Sequence, residues 1–357
     1  MNRRRIHRWS WLVWLAAAAA GGCERSILVG GSYDGSVSPG VGGGGGSRAP
    51  SQCDPISTTP GDVNPCGSTS GLAFSPDGQL IASASDALPP NIHLWRLSDG
   101  ARLHDLPGLS ETAYNVAFSP DSRLLAAAGS VGQGSTGAVK IYDVASGAEV
   151  RTLPTNSGFY SSAAVFSNDG VWLATAGTTG FIEIWRTSDW TLVKAIPYQA
   201  SVHNLHFAPT GTRLITGGVD RVATAWDLPA GNPVFTLSPI ADEMADAQYS
   251  PDGTLIASTG PANVVQIWDG ATRAVVQTLT GHTTYVSQTM WVDQNTLLTD
   301  DWSGIVKIWA RASSGQLALR SSMQTGAQGL HMAVSPDRKR AAVEAGSGTS
   351  GFMFLQF

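Results

Sequence analysis

The stretch YSPDGTLIASTGPANVVQIWD, residues 249–269, contains the unit from which most of the chain is built. Its turn, SPDG, places Pro where φ must be near −65° and Asp-Gly where a tight hairpin needs a positive φ. A run of apolar and small residues, LIAST, follows the turn, and the alternating stretch VQIW then ends in Trp268. Because alternation at period two is typical of strands, the stretch predicts a hairpin followed by a third strand with an aromatic end.

This unit recurs along the chain. The turn stands at 75–78, 119–122, 167–170, 208–211, 250–253, 292–295 and 335–338. Each turn follows an apolar stub, and the third strand leads through a Gly-containing turn to one more strand. A four-stranded sheet of this size cannot bury both faces alone, so copies must stack radially. The fold class predicted is therefore all-β, a seven-bladed β-propeller of four-stranded antiparallel blades, with the terminal aromatics packed between blades.

These motifs resemble the WD-repeat (WD40) propeller family over about residues 71–357. Trp226-Asp227 and Trp268-Asp269 match its Trp-Asp pair, and Gly281-His282 matches its Gly-His pair. The family's buried Asp, six residues before the Trp, is present only as Asp220, and Ser303 takes its place in blade six. We therefore expect the family's Trp–Ser/Thr–His–Asp network to be intact nowhere, with His282 in a structural role.

The amino terminus resembles a bacterial lipoprotein signal. Arg3, Arg4, Arg5 and Arg8 precede the apolar stretch WLVWLAAAAA (11–20), and small residues lead to Cys23. The resemblance implies a signal peptide at 1–22 and lipidation of Cys23, although Ala20 stands where the family usually has Leu. Glu24 favours the outer membrane over the inner one. An ordinary secretory peptide cut near Gly22 is the alternative, and a twin-arginine route matches weakly.

Residues 23–50 are rich in Gly and read as a flexible tether, which leaves 51–357 for the propeller. Removing 1–22 takes away four Arg and leaves 18 basic side chains against 27 acidic ones, a net charge of about −9. Nucleic acid is not an expected partner, because phosphate contacts need a basic face. We expect a monomer that binds protein or peptide partners.

Cys53 and Cys66 bracket a Pro/Gly-rich stretch and, in an exported protein, are expected to form a disulfide. Two free thiols or a metal half-site are the alternative, although CDP…NPC lacks metal-ligand spacing. The last stretch, GFMFLQF (351–357), corresponds to a third strand, so blade seven lacks its outer strand. Propellers that resemble this one usually borrow it from the amino-terminal segment, and 52–66 is the candidate.

The partner-binding prediction concerns the loops that enter first strands and those that join strands two and three. In the family resembled, these loops share one face, here called the top face. We expect a contiguous acidic patch with exposed aromatics there, which is what an interaction hot spot needs. Its residues are Asp242, Glu243 and Asp246 in blade five, Asp300, Asp301, Trp302 and Tyr285 in blade six, and Tyr160. A solvated rim is the alternative, and carboxylates this close could also hold calcium.

Catalytic motifs are not expected to operate here. GxSxG, HExxH, Walker and CxxC patterns are absent from the sequence, and GQGSTG (132–137) lies between two strands without a helix to receive a phosphate. His203 and His206 would point to opposite strand faces. We expect no enzyme activity, cofactor or metal. The alternatives are an enzyme using the central channel (a hydrolase, a lyase or a quinone-dependent dehydrogenase), for which His206 is the one titratable channel group expected, and a glycan-binding lectin.

The disulfide gives the first prediction. In the chain-entropy model a cross-link across a loop of this length contributes about 3 kcal/mol. Reduction should therefore lower the melting temperature by several degrees, as measured by thermal unfolding with and without dithiothreitol. A Cys53→Ala variant should show no response to the reductant, and an unchanged melting temperature in the wild type would contradict the pairing.

Overall fold

The structure is a computed structural model. It describes residues 56–60, 63–64, 69–85, 90–107, 109, 112–131, 136–156, 161–178, 180–198, 200–238, 246–326, 331–345 and 351–357. The signal peptide, Cys23, the tether and both Cys53 and Cys66 lie outside these residues. Within the described part, no helix is long and apolar enough to cross a membrane.

Nearly all regular structure is β. In chain order the strands are β1 (Val63–Asn64), β2 (Thr69–Phe74), β3 (Leu80–Ser85), β4 (Ile92–Arg96), β5 (Arg102–Leu106), β6 (Ala113–Phe118), β7 (Leu124–Val131), β8 (Thr136–Asp143), β9 (Glu149–Pro154), β10 (Ser161–Phe166), β11 (Trp172–Gly177), β12 (Gly180–Arg186), β13 (Thr191–Tyr198), β14 (Val202–Phe207), β15 (Arg213–Gly218), β16 (Ala223–Asp227), β17 (Pro233–Leu237), β18 (Ala247–Tyr249), β19 (Leu255–Gly260), β20 (Val264–Asp269), β21 (Val275–Leu279), β22 (Val286–Asp293), β23 (Thr296–Asp301), β24 (Ile305–Arg311), β25 (Leu317–Gln324), β26 (Met332–Val334), β27 (Arg340–Ala345) and β28 (Gly351–Gln356). A 3-10 turn, Pro261–Asn263, links β19 to β20.

These strands form seven antiparallel sheets of four, which confirms the predicted seven-bladed propeller. Six sheets are sequential: β2–β5, β6–β9, β10–β13, β14–β17, β18–β21 and β22–β25. The seventh has the order β1-β28-β27-β26 and so joins the two ends of the described chain. The first strand of each blade is innermost and the fourth is outermost.

The repeated turn is held by its own side chains. In the first copy, Ser75 Oγ donates to Asp77 Oδ1 at 2.6 Å, and Gly78 has φ 72°. The same Ser–Asp hydrogen bond recurs at 2.6–2.7 Å in the turns that begin at Ser119, Ser167, Ser250 and Ser335. The motif therefore marks a hairpin between the first and second strands for a local physical reason.

The third-strand aromatics are buried between blades, as predicted. Their exposed fractions are Trp95 0%, Tyr142 0%, Trp185 5%, Trp226 8%, Trp268 6% and Trp309 4%. Leu355, opposite Ala341 in blade seven, takes the equivalent place. Second strands facing them consist largely of Ala, Ser, Thr and Gly, which lets neighbouring sheets approach closely.

Polar side chains of the first strands also connect adjacent blades. Each accepts a backbone N–H from the first strand of the next blade, where the inner edge of the sheet would otherwise leave that group unpaired. The pairs are Ala164 N to Asn115 Oδ1 at 3.1 Å, Thr289 N to Asp246 Oδ2 at 2.7 Å, Trp291 N to Gln248 Oε1 at 2.9 Å and Met332 N to Gln288 Oε1 at 2.8 Å.

Ring closure by the amino-terminal segment is confirmed. Val63 and Asn64 pair antiparallel with Met353 and Phe352, and so supply the outer strand of blade seven. Ile56, further upstream, donates its N–H to the carbonyl of Gly100 at 2.8 Å and packs with only 4% of its surface exposed. A Cβ on Gly100 would lie 2.0 Å from the Ile56 oxygen, so this contact requires glycine there.

Ile56 provides a test of this closure. Ile56→Ala removes buried apolar contacts with the cluster that includes Trp95 and Phe352, so the free energy of unfolding should fall by about 2–4 kcal/mol in urea titration. Val150→Ala, on an outer strand and 50% exposed, is the control and should change it by less than about 0.5 kcal/mol. Equal effects of the two variants would contradict the role of Ile56.

Candidate functional site

An exposed aromatic pair lies on the top face of blade six. Trp302 follows β23 and is 40% exposed, and Tyr285 lies just before β22 and is half-buried. Their ring centroids are 6.1 Å apart with an interplanar angle of 84°, an edge-to-face contact. The Trp302 N–H also donates to the Tyr285 carbonyl at 3.0 Å, so backbone and side chains both hold the pair together.

Asp301 positions Trp302. Its Oδ1 accepts hydrogen bonds from Ser303 N at 3.0 Å, Ser303 Oγ at 2.6 Å and Ile305 N at 3.2 Å. Gly304 closes the turn with φ 76° and donates its N–H to the Asp301 carbonyl at 2.8 Å. One buried carboxylate thus fixes the loop that carries the exposed indole.

The other oxygen of Asp301 continues into the blade. Asp301 Oδ2 lies 2.7 Å from His282 Nδ1, and His282 Nε2 lies 2.7 Å from Thr299 Oγ1. Trp309 Nε1–H donates to Thr299 Oγ1 at 2.9 Å. The expectation that the Trp–Ser/Thr–His–Asp network is intact nowhere is therefore wrong for blade six. Its carboxylate comes from Asp301, two residues after Thr299, and Ser303, at the position where the family has Asp, donates a hydrogen bond to that carboxylate. His282 is structural, as expected.

Burial and hydrogen bonding set the charges in this network. Burial lowers the pKa of His282 despite the neighbouring Asp301, so the imidazole is neutral at neutral pH. Burial alone raises the pKa of Asp301, but hydrogen bonds from Ser303 and His282 outweigh it and hold the pKa below its ordinary value. A neutral His therefore donates through Nδ1–H to an ionised Asp.

The predicted acidic patch is wrong for its three described carboxylates. Asp246, Asp300 and Asp301 are 0%, 1% and 0% exposed, because their oxygens satisfy polar groups inside the blades. Asp300 and Asp301 end strand β23 and do not lie in the following loop. Asp242, Glu243 and Tyr160 lie outside the described residues. What remains of the predicted surface is Trp302 with Tyr285.

Asp246 connects three blades. Its Oδ1 lies 3.0 Å from His206 Nε2 on β14, and its Oδ2 accepts the N–H and the hydroxyl of Thr289 on β22 at 2.7 and 3.0 Å. The inner strands therefore lie beside more titratable groups than the His206 expected from sequence. His331, just before β26, is another, and burial lowers its pKa to about 4.

Asp300 is a buried acid with a strongly raised pKa. Its Oδ1 accepts from Ser287 Oγ at 2.7 Å and from Gln288 N at 2.9 Å. Burial, together with the nearby charges of Asp246 and Asp301, outweighs these hydrogen bonds and raises its pKa to about 7. Calcium binding gains no support from this arrangement: among the described residues no three His, Cys, Asp or Glu side chains are grouped to hold a metal.

The neighbouring blade extends the top-face surface. Asn263, in the turn before β20, donates through Nδ2 to the carbonyl of Thr283 at 3.2 Å. Ala262 and Asn263 both have positive φ, 57° and 61°, so this turn takes a fixed, unusual shape beside the aromatic pair. No motif in the sequence indicated this contact, since it depends on blades five and six lying side by side.

Fold and site together define a seven-bladed β-propeller with an exposed aromatic pair on one face. Residues 54–88, 147–186 and 190–227 match the family model "WD domain, G-beta repeat", which confirms the resemblance over about a third of the chain. The second and third matches each begin beside the outer strand of one blade and end with the third strand of the next, as expected for a ring closed by an amino-terminal strand.

Several curated proteins are similar to parts of the chain. An uncharacterized WD repeat-containing protein of Synechocystis sp. is 30% identical over 208 residues, 58% of each chain. Transducin beta-like protein 3 of Bos taurus is 30% identical over 48% of this chain and 22% of its own. COMPASS component SWD3 of Saccharomyces cerevisiae is 28% identical over 57% and 65%. Each match spans less than two thirds of the relative.

Among solved structures, a chain of the crystal structure of the Mitotic Checkpoint Complex has a TM-score of 0.68 to this protein. The two are 20% identical, and the superposition covers 84% of this chain and 96% of the other. At that identity the likeness establishes the fold alone.

Asp300 and Asp301 are expected to affect the pH dependence of the free energy of unfolding in opposite directions. An unfolded Asp has a pKa near 3.9, so between about pH 4 and 7 the folded chain holds a proton on Asp300 that the unfolded chain has lost. Its contribution to stability therefore falls as pH rises through that window. Asp300→Asn keeps the Oδ1 acceptor, and should raise the free energy of unfolding by about 1–3 kcal/mol at pH 7.5, with little change at pH 4.5.

Asp301→Asn is the matched control. The pKa of Asp301 is depressed, so its ionised form stabilises the fold above the unfolded pKa, and this contribution is lost as pH falls through the folded pKa. The variant should be less stable than wild type at pH 7.5, with the difference shrinking in acid. Urea titrations at both pH values measure this, and two variants changing in the same direction would contradict the assignment.

Proposed function

We propose that this chain is an exported, lipid-anchored propeller that holds protein or peptide partners at its top face and catalyses no reaction. The Trp302–Tyr285 pair carries the proposal. Trp302 presents a large aromatic surface, 40% exposed, at a fixed turn, and aromatic side chains dominate binding hot spots. Here a buried network of four side chains fixes the indole before any partner arrives, which reduces the entropy lost on binding.

The names of the relatives support a binding role. COMPASS component SWD3, and Target of rapamycin complex subunit wat1 of Schizosaccharomyces pombe, are named as members of complexes. The lipid anchor is supported by the sequence around Cys23 alone. A tether of about 27 residues would let the propeller lie roughly 30 Å from a bilayer, given a reach of ~5–6 Å times the square root of length.

The experiment is crosslinking in the native membrane followed by quantitative mass spectrometry. Trp302→Ala should reduce recovery of the wild-type partner at least fivefold, because a hot-spot indole contributes more than 1 kcal/mol. Leu319→Ala is the control: it removes an equally exposed apolar side chain, 49% exposed, from the outer strand of the same blade, and recovery should not change. Unchanged recovery with Trp302→Ala would reject the top-face site.

Two further arms separate the alternatives. Cys23→Ala should move the protein from the membrane to the soluble fraction without altering partner affinity, and a variant that stays in the membrane would reject the lipid anchor. Glycans that bind wild type but not Trp302→Ala on an array, with no protein partner crosslinked, would favour the lectin.

A further inference from the structure

A groove of about 660 Å³ opens between blades one and two on the face opposite Trp302. Leu80, Leu103 and Val144 give it apolar walls, and the repeated turns of both blades form its rim. Three carboxylates line it, Asp77, Asp121 and Asp143, whereas Arg123 is the single basic side chain among the residues that line it. The groove therefore has apolar walls and a net negative rim.

The interface between blades four and five provides an internal comparison. Register pairs Phe235 with Ala225 and His104 with Leu94, so Phe235 and His104 are equivalent positions of their blades. Arg273 and Gly147 are also equivalent: each has a positive φ, 66° and 70°, and each donates its N–H to the Asp that ends the third strand.

At blades four and five the chain fills this place with its own arginine. The Arg273 guanidinium lies 4.1 Å from the centroid of the Phe235 ring, and its Nη1 donates to the carbonyls of Gly270 and Ala271. Blade four also has a second basic side chain, Arg213, at the position that Leu80 occupies in blade one. The two positions are equivalent because each directly precedes the second-strand residue that pairs with the third-strand Trp.

At blades one and two the same acceptors remain but the arginine is missing. Asp143 is the counterpart of Asp269, and Val144 and Ala145 are the counterparts of Gly270 and Ala271, whose carbonyl oxygens accept hydrogen bonds from Arg273. His104 replaces Phe235 and lies with Nε2 3.2 Å from the Ala145 carbonyl, so Nε2 carries the proton. Gly147, in place of Arg273, contributes no side chain. The His104 ring packs against it instead, since a Cβ on Gly147 would lie 2.7 Å from His104 Nδ1, and the groove is open on the remaining surface of that ring.

Two other interfaces of the ring are filled at the equivalent position. Trp190 takes it in blade three and packs against the cluster between blades two and three. In blade one the position is Gly100, against which Ile56 of the amino-terminal segment lies. The turn position equivalent to Arg273 is therefore covered by a side chain or by the amino-terminal segment in blades one, three and five.

We infer that the groove between blades one and two binds an arginine side chain of a partner peptide, flanked by apolar residues. The guanidinium would lie on the groove side of the His104 ring, within reach of Asp121 and Asp143, and the flanking residues would contact Leu103 and Val144. Each carboxylate uses Oδ1 to brace its own turn. Hydrogen bonds from Ser119 and Ser146, respectively, hold the pKa of Asp121 and Asp143 below the ordinary value, so both are ionised at neutral pH.

The test uses the full chain in detergent micelles and two probes, acetyl-Leu-Arg-Leu-amide and the same peptide with citrulline in place of Arg. Citrulline keeps the shape of the side chain and loses its charge. NMR titration should show saturable shifts of the Leu103 and Val144 methyl signals and the His104 ring signals with the Arg peptide, and none with the citrulline peptide. The titration extends to about 10 mM peptide, which is high enough to detect weak binding with a Kd in the millimolar range. Equal binding of the two peptides, or no saturable binding up to that concentration, would overturn the inference.

Variants locate the site. Asp143→Asn and Asp121→Asn keep the Oδ1 acceptor that braces each turn, and each should weaken binding of the Arg peptide about threefold to fivefold, the range of partly exposed ion pairs. Asp269→Asn and Asp252→Asn, the counterparts in blade five, are the matched controls and should leave binding unchanged. Loss of binding in the controls, or none in the groove variants, would count against the site.

This inference rests on the proposed binding role, but the two fail separately. Trp302→Ala should leave tripeptide binding intact, since Trp302 lies on the opposite face. Partner recovery that depends on Trp302 while the tripeptide does not bind would reject the groove alone. Tripeptide binding together with unchanged partner recovery in Trp302→Ala would reject the top-face site alone.

Discussion

Contact between neighbouring sheets is the constraint on which the rest of this molecule depends. Each blade is a four-stranded sheet with two apolar faces, and neither can be buried except against another blade. The third-strand aromatics fill the space between blades, and the small residues of the second strands set how closely the sheets approach. Since no blade is stable alone, the ring must close, and the two-residue strand Val63–Asn64 together with Ile56 joins its ends.

The close contact between blades also determines whether acidic side chains near the axis are buried or exposed. The innermost strands have an edge without a further strand beside it, so their N–H groups need acceptors from the next blade. Asp246 and Gln288 meet that need, and in doing so they are withdrawn from solvent. The described carboxylates near the top face are therefore structural, and Trp302 and Tyr285 are the predicted site residues that keep exposed surface.

Departures from the repeat are where the two proposed binding surfaces lie. In blade six the Asp of the buried network is shifted by two residues, which places Trp302 at an exposed turn. In blade two, Gly147 stands where blade five has Arg273, and His104 of blade one packs against it beside a groove with a negative rim. Both features follow from comparing blades of the same chain, because equivalent positions share a backbone and differ only in the side chain that the sequence supplies.

Fold class and blade number could be predicted from the sequence because they depend on local signals. Pro-Asp-Gly turns, period-two alternation and a terminal Trp are properties of single hairpins, and their recurrence fixes the count of blades. The missing outer strand of blade seven could be anticipated from the same count, and so could the structural role of His282.

The candidate site depended on tertiary structure. Asp246, Asp300 and Asp301 are charged residues beside predicted loops, and nothing in their local sequence distinguishes a solvated carboxylate from one that accepts hydrogen bonds across a blade interface. Likewise, Gly147 and Arg273 are ordinary turn residues in the sequence. Only the structure shows that Gly147 faces the His104 ring and Arg273 the Phe235 ring, each on the adjacent blade. The burial of these side chains and their hydrogen bonds between blades depend on segments about 40 residues apart. Local sequence specifies the strands, and only the packing of the blades determines these contacts.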